Sequence, residues 1–196
     1  FSLGHQEESV AYLSWSTTDK EPFIELTSAS RIMYVGAKES YAPSLIRTSE
    51  SIPNFAESFY FEMKVTNCGH NGEIGIGLAT RGAKTNRMPG WDEGTIGYHG
   101  DNGGIYHASG SAVEVTETFT THDIVSCHVN RVQVDKLGFC NVIQFGKNGA
   151  AVGPLMYMLN EELHPAIGMH SEGASVETNL GEDAFAYKLR GTIMSH

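Results

Sequence analysis

Residues 72–110 constrain this chain most: GEIGIGLATRGAKTNRMPGWDEGTIGYHGDNGGIYHASG. The short apolar run Ile74 to Leu78 carries glycine at alternate positions. The loop Met88-Pro89-Gly90-Trp91 follows, then the strand-like Ile96-Gly97-Tyr98-His99. A turn, Gly100 to Gly104, leads into Ile105-Tyr106-His107. Phosphates, metals and nucleophiles have no obvious place in such a segment. It reads as a tightly wound β-meander with aromatic and polar side chains on its connecting loops, and it points to a surface that binds rather than a cleft that reacts.

The same turn chemistry recurs along the chain. Phe59 to Val65 alternates with period two, the pattern of a strand with one buried face. Phe59, Phe61, Met63 and Val65 are expected inside, with Tyr60, Glu62 and Lys64 outside. The Asn71-Gly72 pair supplies positive-φ residues of the kind a hairpin needs, so Ile74 to Leu78 is expected to pair with Phe59 to Val65. Asp123 to Val132 is a further strand. Asn141 to Phe145 is expected to pair with the next strand through Lys147-Asn148-Gly149. Leu163 to Met169 and Ser175 to Leu180 complete the run. Earlier, Phe23 to Leu26 and Ser30 to Val35 read as strands. Gly36 to Ser51 reads as a long polar loop, with Arg47 to Ile52 as a possible short strand. Asn160 to Leu163 suits one helical turn. Short strands spaced by turn residues indicate an all-β sandwich. A chain of 196 residues suits one domain able to bury about 70% of its unfolded surface. We expect residues 1–30 to be an N-terminal arm anchored by Val10, Tyr12, Leu13 and Trp15. Residues 31–185 form the sandwich and 186–196 a tail.

Charge narrows the partners. The net charge of −10 opposes nucleic acid, whose affinity rests on neutralised phosphates. The cysteines Cys68, Cys127 and Cys140 are odd in number and widely spaced, which does not suggest a disulfide framework. No N-x-Ser/Thr sequon occurs, no basic-then-apolar leader opens the chain, and no apolar run approaches membrane-spanning length. We expect a reducing compartment, the cytoplasm with the nucleus also open, and no membrane. With no initiator Met, the sequence is expected to be part of a longer protein.

Seven motifs carry a family resemblance. They are Phe59-Tyr60-Phe61-Glu62, Gly75-Ile76-Gly77-Leu78, Pro89-Gly90-Trp91, Gly97-Tyr98-His99-Gly100-Asp101, Phe119-Thr120-Thr121, Gly146-Lys147-Asn148-Gly149 and Leu163-His164-Pro165-Ala166-Ile167-Gly168. In this order and spacing, over about residues 57–181, the chain resembles the SPRY family, and within it the Ran-binding-protein subgroup. Departures fall at turns and strand edges. His122 and Ser126 stand where the family usually has Gly, and Gly146 where it usually has Thr. The resemblance implies a sandwich of two curved antiparallel sheets. It also implies a non-catalytic adaptor whose loops, at one rim, grip a short peptide or a partner surface.

The rim expected from this resemblance comprises Lys38, Glu39 and Tyr41, then Met88, Pro89 and Trp91, then Tyr98, His99 and Asp101, then His170, Ser171 and Glu172. Trp91 could anchor a partner or pack back on the sheet, and packing is the weightier reading. Tyr98 and His99 alternate, so one is expected in the core and the other outside. Asp101-Asn102-Gly103-Gly104 lacks the oxygen ligands of a calcium loop at its third and fifth positions and reads as a turn. His99 and His107 bracket Asp101, yet no His-x-x-x-His or Cys-x-x-Cys occurs, so neither metal nor cofactor is expected. Cys127 and His128 adjoin on a strand and face opposite sides. Gly72, Gly75 and Gly77 open no helix, unlike a nucleotide loop. Sandwich glycosidases need paired carboxylates, and the Glu-x-Asp-x-x-Glu pattern is absent. The resemblance implies a protein or short linear peptide as partner, and no small-molecule substrate is expected. The alternative is a scaffold docking by a sheet face in a larger assembly, such as a ubiquitin ligase or histone methyltransferase complex.

Overall fold

The structure, a computed structural model, describes residues 13–136, 138–159 and 162–187. Among these residues the regular elements are strands, and none is helical. Val10, Tyr12, the start of the helical turn at Asn160 and residues 188–196 lie outside the described residues. With strands numbered along the chain, the first sheet runs β1 (Trp15–Lys20), β4 (Ser44–Thr48), β13 (His164–Met169), β6 (Ile74–Ala79), β7 (Thr95–His99), β8 (Gly104–His107) and β9 (Ala112–Val115). The second runs β12 (Ala150–Met158), β11 (Gly138–Lys147), β10 (Ile124–Val134), β5 (Ser58–Asn67), β14 (Ser175–Asn179), β3 (Arg31–Tyr34) and β2 (Ile24–Leu26). Neighbours are antiparallel throughout. The all-β sandwich is as the sequence indicates, and the meander over β6 to β8 extends into β9.

Registers place like with like. Cys127 lies opposite Phe61 on one side and Phe145 on the other. Ile167 lies opposite Ile46 and Ile76. These side chains are fully buried in one core between the sheets. Each apolar side chain of this size withdrawn from water stabilises the fold by about 1.5–3 kcal/mol. The indole Nε1 of Trp15 donates to Thr178 Oγ1 across the core at 2.7 Å, tying β1 of one sheet to β14 of the other.

Three expectations need correction. Asn67 to Gly72 does not close a hairpin, because β5 and β6 lie in opposite sheets. The segment crosses over the end of the sandwich, and β5 pairs instead with β10 and β14. The supposed loop 36–51 contains β4, buried along its length between β1 and β13. Its polar appearance comes from Arg47, only 3% exposed. That guanidinium is neutralised by Asp19 at 2.9 Å and donates to the Ala83 carbonyl at 3.0 Å. The hydrogen bond from Arg47 lowers the Asp19 carboxyl below its ordinary value, against the opposing effect of burial. Finally, Glu62 points away from the core as the alternation requires, yet is 5% exposed. Residues 184–187 lie over it: the Ala186 amide donates to Glu62 Oε1 at 2.7 Å, and Phe185 packs edge-on to Tyr60. Within the stretch expected as an N-terminal arm, Trp15–Lys20 forms β1, and the strand expected at Phe23 to Leu26 is β2.

The outer face of the first sheet carries a second layer. Residues 80–94 leave β6, fold back over that face and rejoin β7. The sheet is nearly bare of side chains there. A Cβ at Gly97 would lie 2.2 Å from the Pro89 carbonyl oxygen, and one at Gly168 would lie 2.3 Å from Pro89 Cδ. The glycines read as meander punctuation are the floor on which this flap sits. Leu45, Ala79, Ala83 and Ala166 form a small apolar cluster beneath it.

Candidate functional site

The registers bring a set of connections to one end of the sandwich. Met169 pairs with Ser44 and Ile74, Gly75 with His99, and Gly104 with Val115. Residues 35–43, 68–73, 100–103, 116–123 and 170–174 therefore share one rim.

Two buried or half-buried residues stitch it together. His170 Nδ1 lies 2.6 Å from Glu73 Oε2. Its Nε2 lies 2.9 Å from the Ser40 carbonyl oxygen and 3.2 Å from the Ala42 amide. Ser171, 1% exposed, accepts the Asn71 and Gly72 amides at 3.1 and 3.2 Å and donates to the Cys68 carbonyl at 2.9 Å. The His70 amide donates to the Glu172 carbonyl at 3.0 Å. Three connections are thus locked to one another before any partner arrives.

The residues expected at the rim divide by exposure. Lys38, Glu39, Asp101 and Glu172 are exposed, and Tyr41 is 76% exposed. The Tyr41 ring meets His170 edge-on at 5.0 Å. Met88, Pro89, Tyr98, His99 and Ser171 are buried, so their side chains position the surface rather than form it. Tyr98 and His99 both lie inside, contrary to the alternation argument, because the flap makes an interior of the sheet's outer side. Tyr98 faces the core and donates to the Glu117 carbonyl at 2.6 Å, and burial pushes its hydroxyl up to about 12. His99 faces the flap with Nε2 2.8 Å from the Pro89 carbonyl oxygen, and burial pushes its imidazole down to about 4. Trp91 is half-buried and turned down on the same group, its ring 5.7 Å from His99 and 6.3 Å from Tyr106. The packing reading of Trp91 is the one the flap adopts.

Some rim-lining residues escaped the sequence reading. A cleft of about 350 Å³ lies beside Tyr41 and is lined by Glu21, Phe23, Pro43, Asn86 and Arg87 among others. Asn86 and Arg87 lie in the polar run between Ala83 and Met88, which carries no local pattern that sets them apart from other surface residues. A shallower cleft of about 280 Å³ lies beyond, between residues 68–72, Gly100-Asp101 and Thr118 to Thr120. Although Asp101 lies at the surface, partial desolvation of its carboxyl first, and Glu73 second, raise it above its ordinary value. The hydroxyls of Thr121 and Thr120 lower the Cys68 thiol. Cys127 is buried in the core, where desolvation pushes its thiol up. It faces away from His128, as expected. His99 and His107 lie at opposite ends of their hairpin, His99 opposite Gly75 and His107 opposite Ile96. Among the described residues, no group of three His, Cys, Asp or Glu is placed to hold a metal. No helix among them is long and apolar enough to cross a membrane.

The sequence has clear relatives. Ran-binding protein 9 of Xenopus laevis is 34% identical over 194 residues, covering 98% of this chain and 34% of the relative. The human Ran-binding protein 9 is 33% identical over 186 residues, covering 94% of this chain and 25% of the relative. This chain thus spans about a quarter to a third of the length of those proteins. The crystal structure of a human SPRY domain superposes with a TM-score of 0.72 at 26% identity, covering 84% of this chain and 99% of that one. The SPRY domain of human HERC1 shares the fold at a TM-score of 0.61 and 13% identity, covering 87% of this chain and 99% of that one. The SPRY domain model matches residues 58–183, from the start of β5 to beyond β14, and the chain belongs to the SPRY domain family.

Proposed function

We propose that the chain forms one non-catalytic interaction domain that binds a short segment of a protein partner at the rim around Tyr41. The carrying observation is the rigid seat beneath an exposed aromatic. His170 and Ser171 fix the loops, while Tyr41 remains 76% exposed above them. A large ring already held in place loses little conformational entropy on binding and offers wide contact area. Lys38, Glu39, Asp101 and Glu172 surround it as the polar border. The net charge of −10 favours protein over nucleic acid as partner. The relatives carry Ran-binding in their names, and a protein partner is the part of that we extend to this chain. Three cysteines without a disulfide suit the cytoplasm or nucleus.

A test is affinity capture from cell lysate with the wild type and Tyr41→Ala, read by mass spectrometry beside thermal melts. The expected result is loss of partners at unchanged Tm. Partners kept by the variant would move binding to a sheet face. That second reading, a scaffold, has one observation in its favour: Val132 and Tyr157 stand 41% and 56% exposed on the outer face of β10 and β12. Against it, the flap covers the glycine face of the first sheet, and residues 184–187 cover Tyr60 and Glu62 on the second.

A further inference from the structure

We infer that the cleft between Tyr41 and Arg87 sets the specificity of the rim, and that it takes an apolar or aromatic side chain with a single carboxylate close by on the partner peptide. This rests on the rim reading and adds the chemistry of the ligand.

One side of the cleft is apolar, set among the polar residues Glu21, Ser44, Asn86 and Arg87. Phe23 and Tyr41 are 36% and 76% exposed there, and Pro43 adds a third apolar surface. Its volume, about 350 Å³, is at the lower end for ligand pockets and matches one or two side chains rather than a whole metabolite. The far wall is Asn86-Arg87 of the flap. That stretch is held on both sides. The Leu45 amide donates to the Thr85 carbonyl at 2.7 Å, and Met88 is 1% exposed beneath. Arg87 therefore projects from a fixed backbone.

Its guanidinium is exposed and has no hydrogen-bond or ion-pair partner among the described residues. The carboxylate in the lining, Glu21, already accepts the Thr85 hydroxyl. The other arginines among the described residues have protein partners. Arg47 has Asp19 and two carbonyls, and Arg31 has Glu177. A guanidinium with no protein partner, facing the Phe23 and Tyr41 side of the cleft, is suited to a carboxylate, which it can grip through two parallel N–H donors. The chain's net charge of −10 repels a multiply acidic segment at longer range. One acid beside the apolar anchor, on an otherwise neutral or basic peptide, satisfies both constraints.

The test is a random twelve-residue peptide library displayed on phage and selected on the full chain. Selected peptides should combine an aromatic or large aliphatic residue with Asp or Glu within two positions. Their affinity should fall about tenfold or more on Arg87→Glu, the loss expected for one charge-assisted contact. Replacing the peptide's acid by Lys should restore binding to Arg87→Glu. Since Arg87 is exposed, melts of the variant should match the wild type. Peptides that need Tyr41 but carry no acid, or ignore Arg87→Glu, would overturn this inference and leave the rim reading standing. Failure to select any peptide, or selection of peptides indifferent to Tyr41→Ala as well, would overturn both.

Discussion

Lowering the pH from 7 to 5 should cost this protein about 2 kcal/mol of stability through His99 alone. His99 is 2% exposed, and its Nε2 lies 2.8 Å from the Pro89 carbonyl oxygen, where the neutral ring donates its N–H. Burial pushes its pKa down to about 4, while the unfolded chain takes up the proton near an ordinary value of about 6.5. Above pH 6.5 both states are neutral and nothing is lost. Between the two values only the unfolded state gains the proton, so stability falls by about 1.4 kcal/mol per pH unit. By pH 5 the loss is about 2 kcal/mol, and it levels off below pH 4. The assay is urea unfolding at pH 7, 6 and 5, for the wild type and His99→Gln, whose amide can donate to Pro89 but cannot titrate. His128 and His164 are also pushed down by burial. They remain in both proteins, so the difference between the two curves isolates His99. The wild type should lose about 2 kcal/mol more than the variant. Parallel curves would refute the reasoning, and with it the burial of His99 beneath the flap.

Ser171→Ala removes a buried hydroxyl that serves two amides and a carbonyl, and should destabilise by about 2–3 kcal/mol in thermal or urea unfolding. Gly97→Ala drives a methyl against the Pro89 carbonyl. The flap must shift, at a cost of about 3 kcal/mol or more, with hydrogen exchange expected to rise at Trp91 and Tyr106. His122 adopts φ 77°, a left-handed conformation that costs a non-glycine residue about 1–2 kcal/mol. His122→Gly should therefore raise stability by up to about 1 kcal/mol, once glycine's larger entropy loss is deducted.

His122 also shows what a departure from the family pattern can report. The resemblance marks its position as usually glycine, and the positive φ supplies the reason. Other features were legible because they are local. The alternation of Phe61, Met63 and Val65 predicts their burial whatever the strand pairs with. Asn148-Gly149 predicts the β11–β12 hairpin because the turn itself fixes that pairing.

The features that escaped depend on distant partners. Asn71-Gly72 carries the same hairpin signal as Asn148-Gly149, yet it serves a crossover, because β14 and β10 claim both sides of β5. Arg47 looks like a loop residue until Asp19 and the flap carbonyls surround it. Tyr98 and His99 look like one inward and one outward residue until a second layer covers the outward side. At the rim, Tyr41, Asp101 and Glu172 were found as exposed loop residues. Arg87 was missed because nothing nearby in sequence distinguishes it from other surface cations.

By itself, the sequence determined the fold class. Period-two burial and turn chemistry are short-range consequences of backbone geometry, and glycine at alternate positions leaves little but closely packed strands. Tertiary structure alone decided which strands share a sheet, that residues 80–94 fold over the bare glycine face, and that His170 and Ser171 lock separate loops under Tyr41. Those outcomes come from competition among surfaces far apart along the chain, where burial and hydrogen-bond satisfaction choose one arrangement from many that local pattern allows.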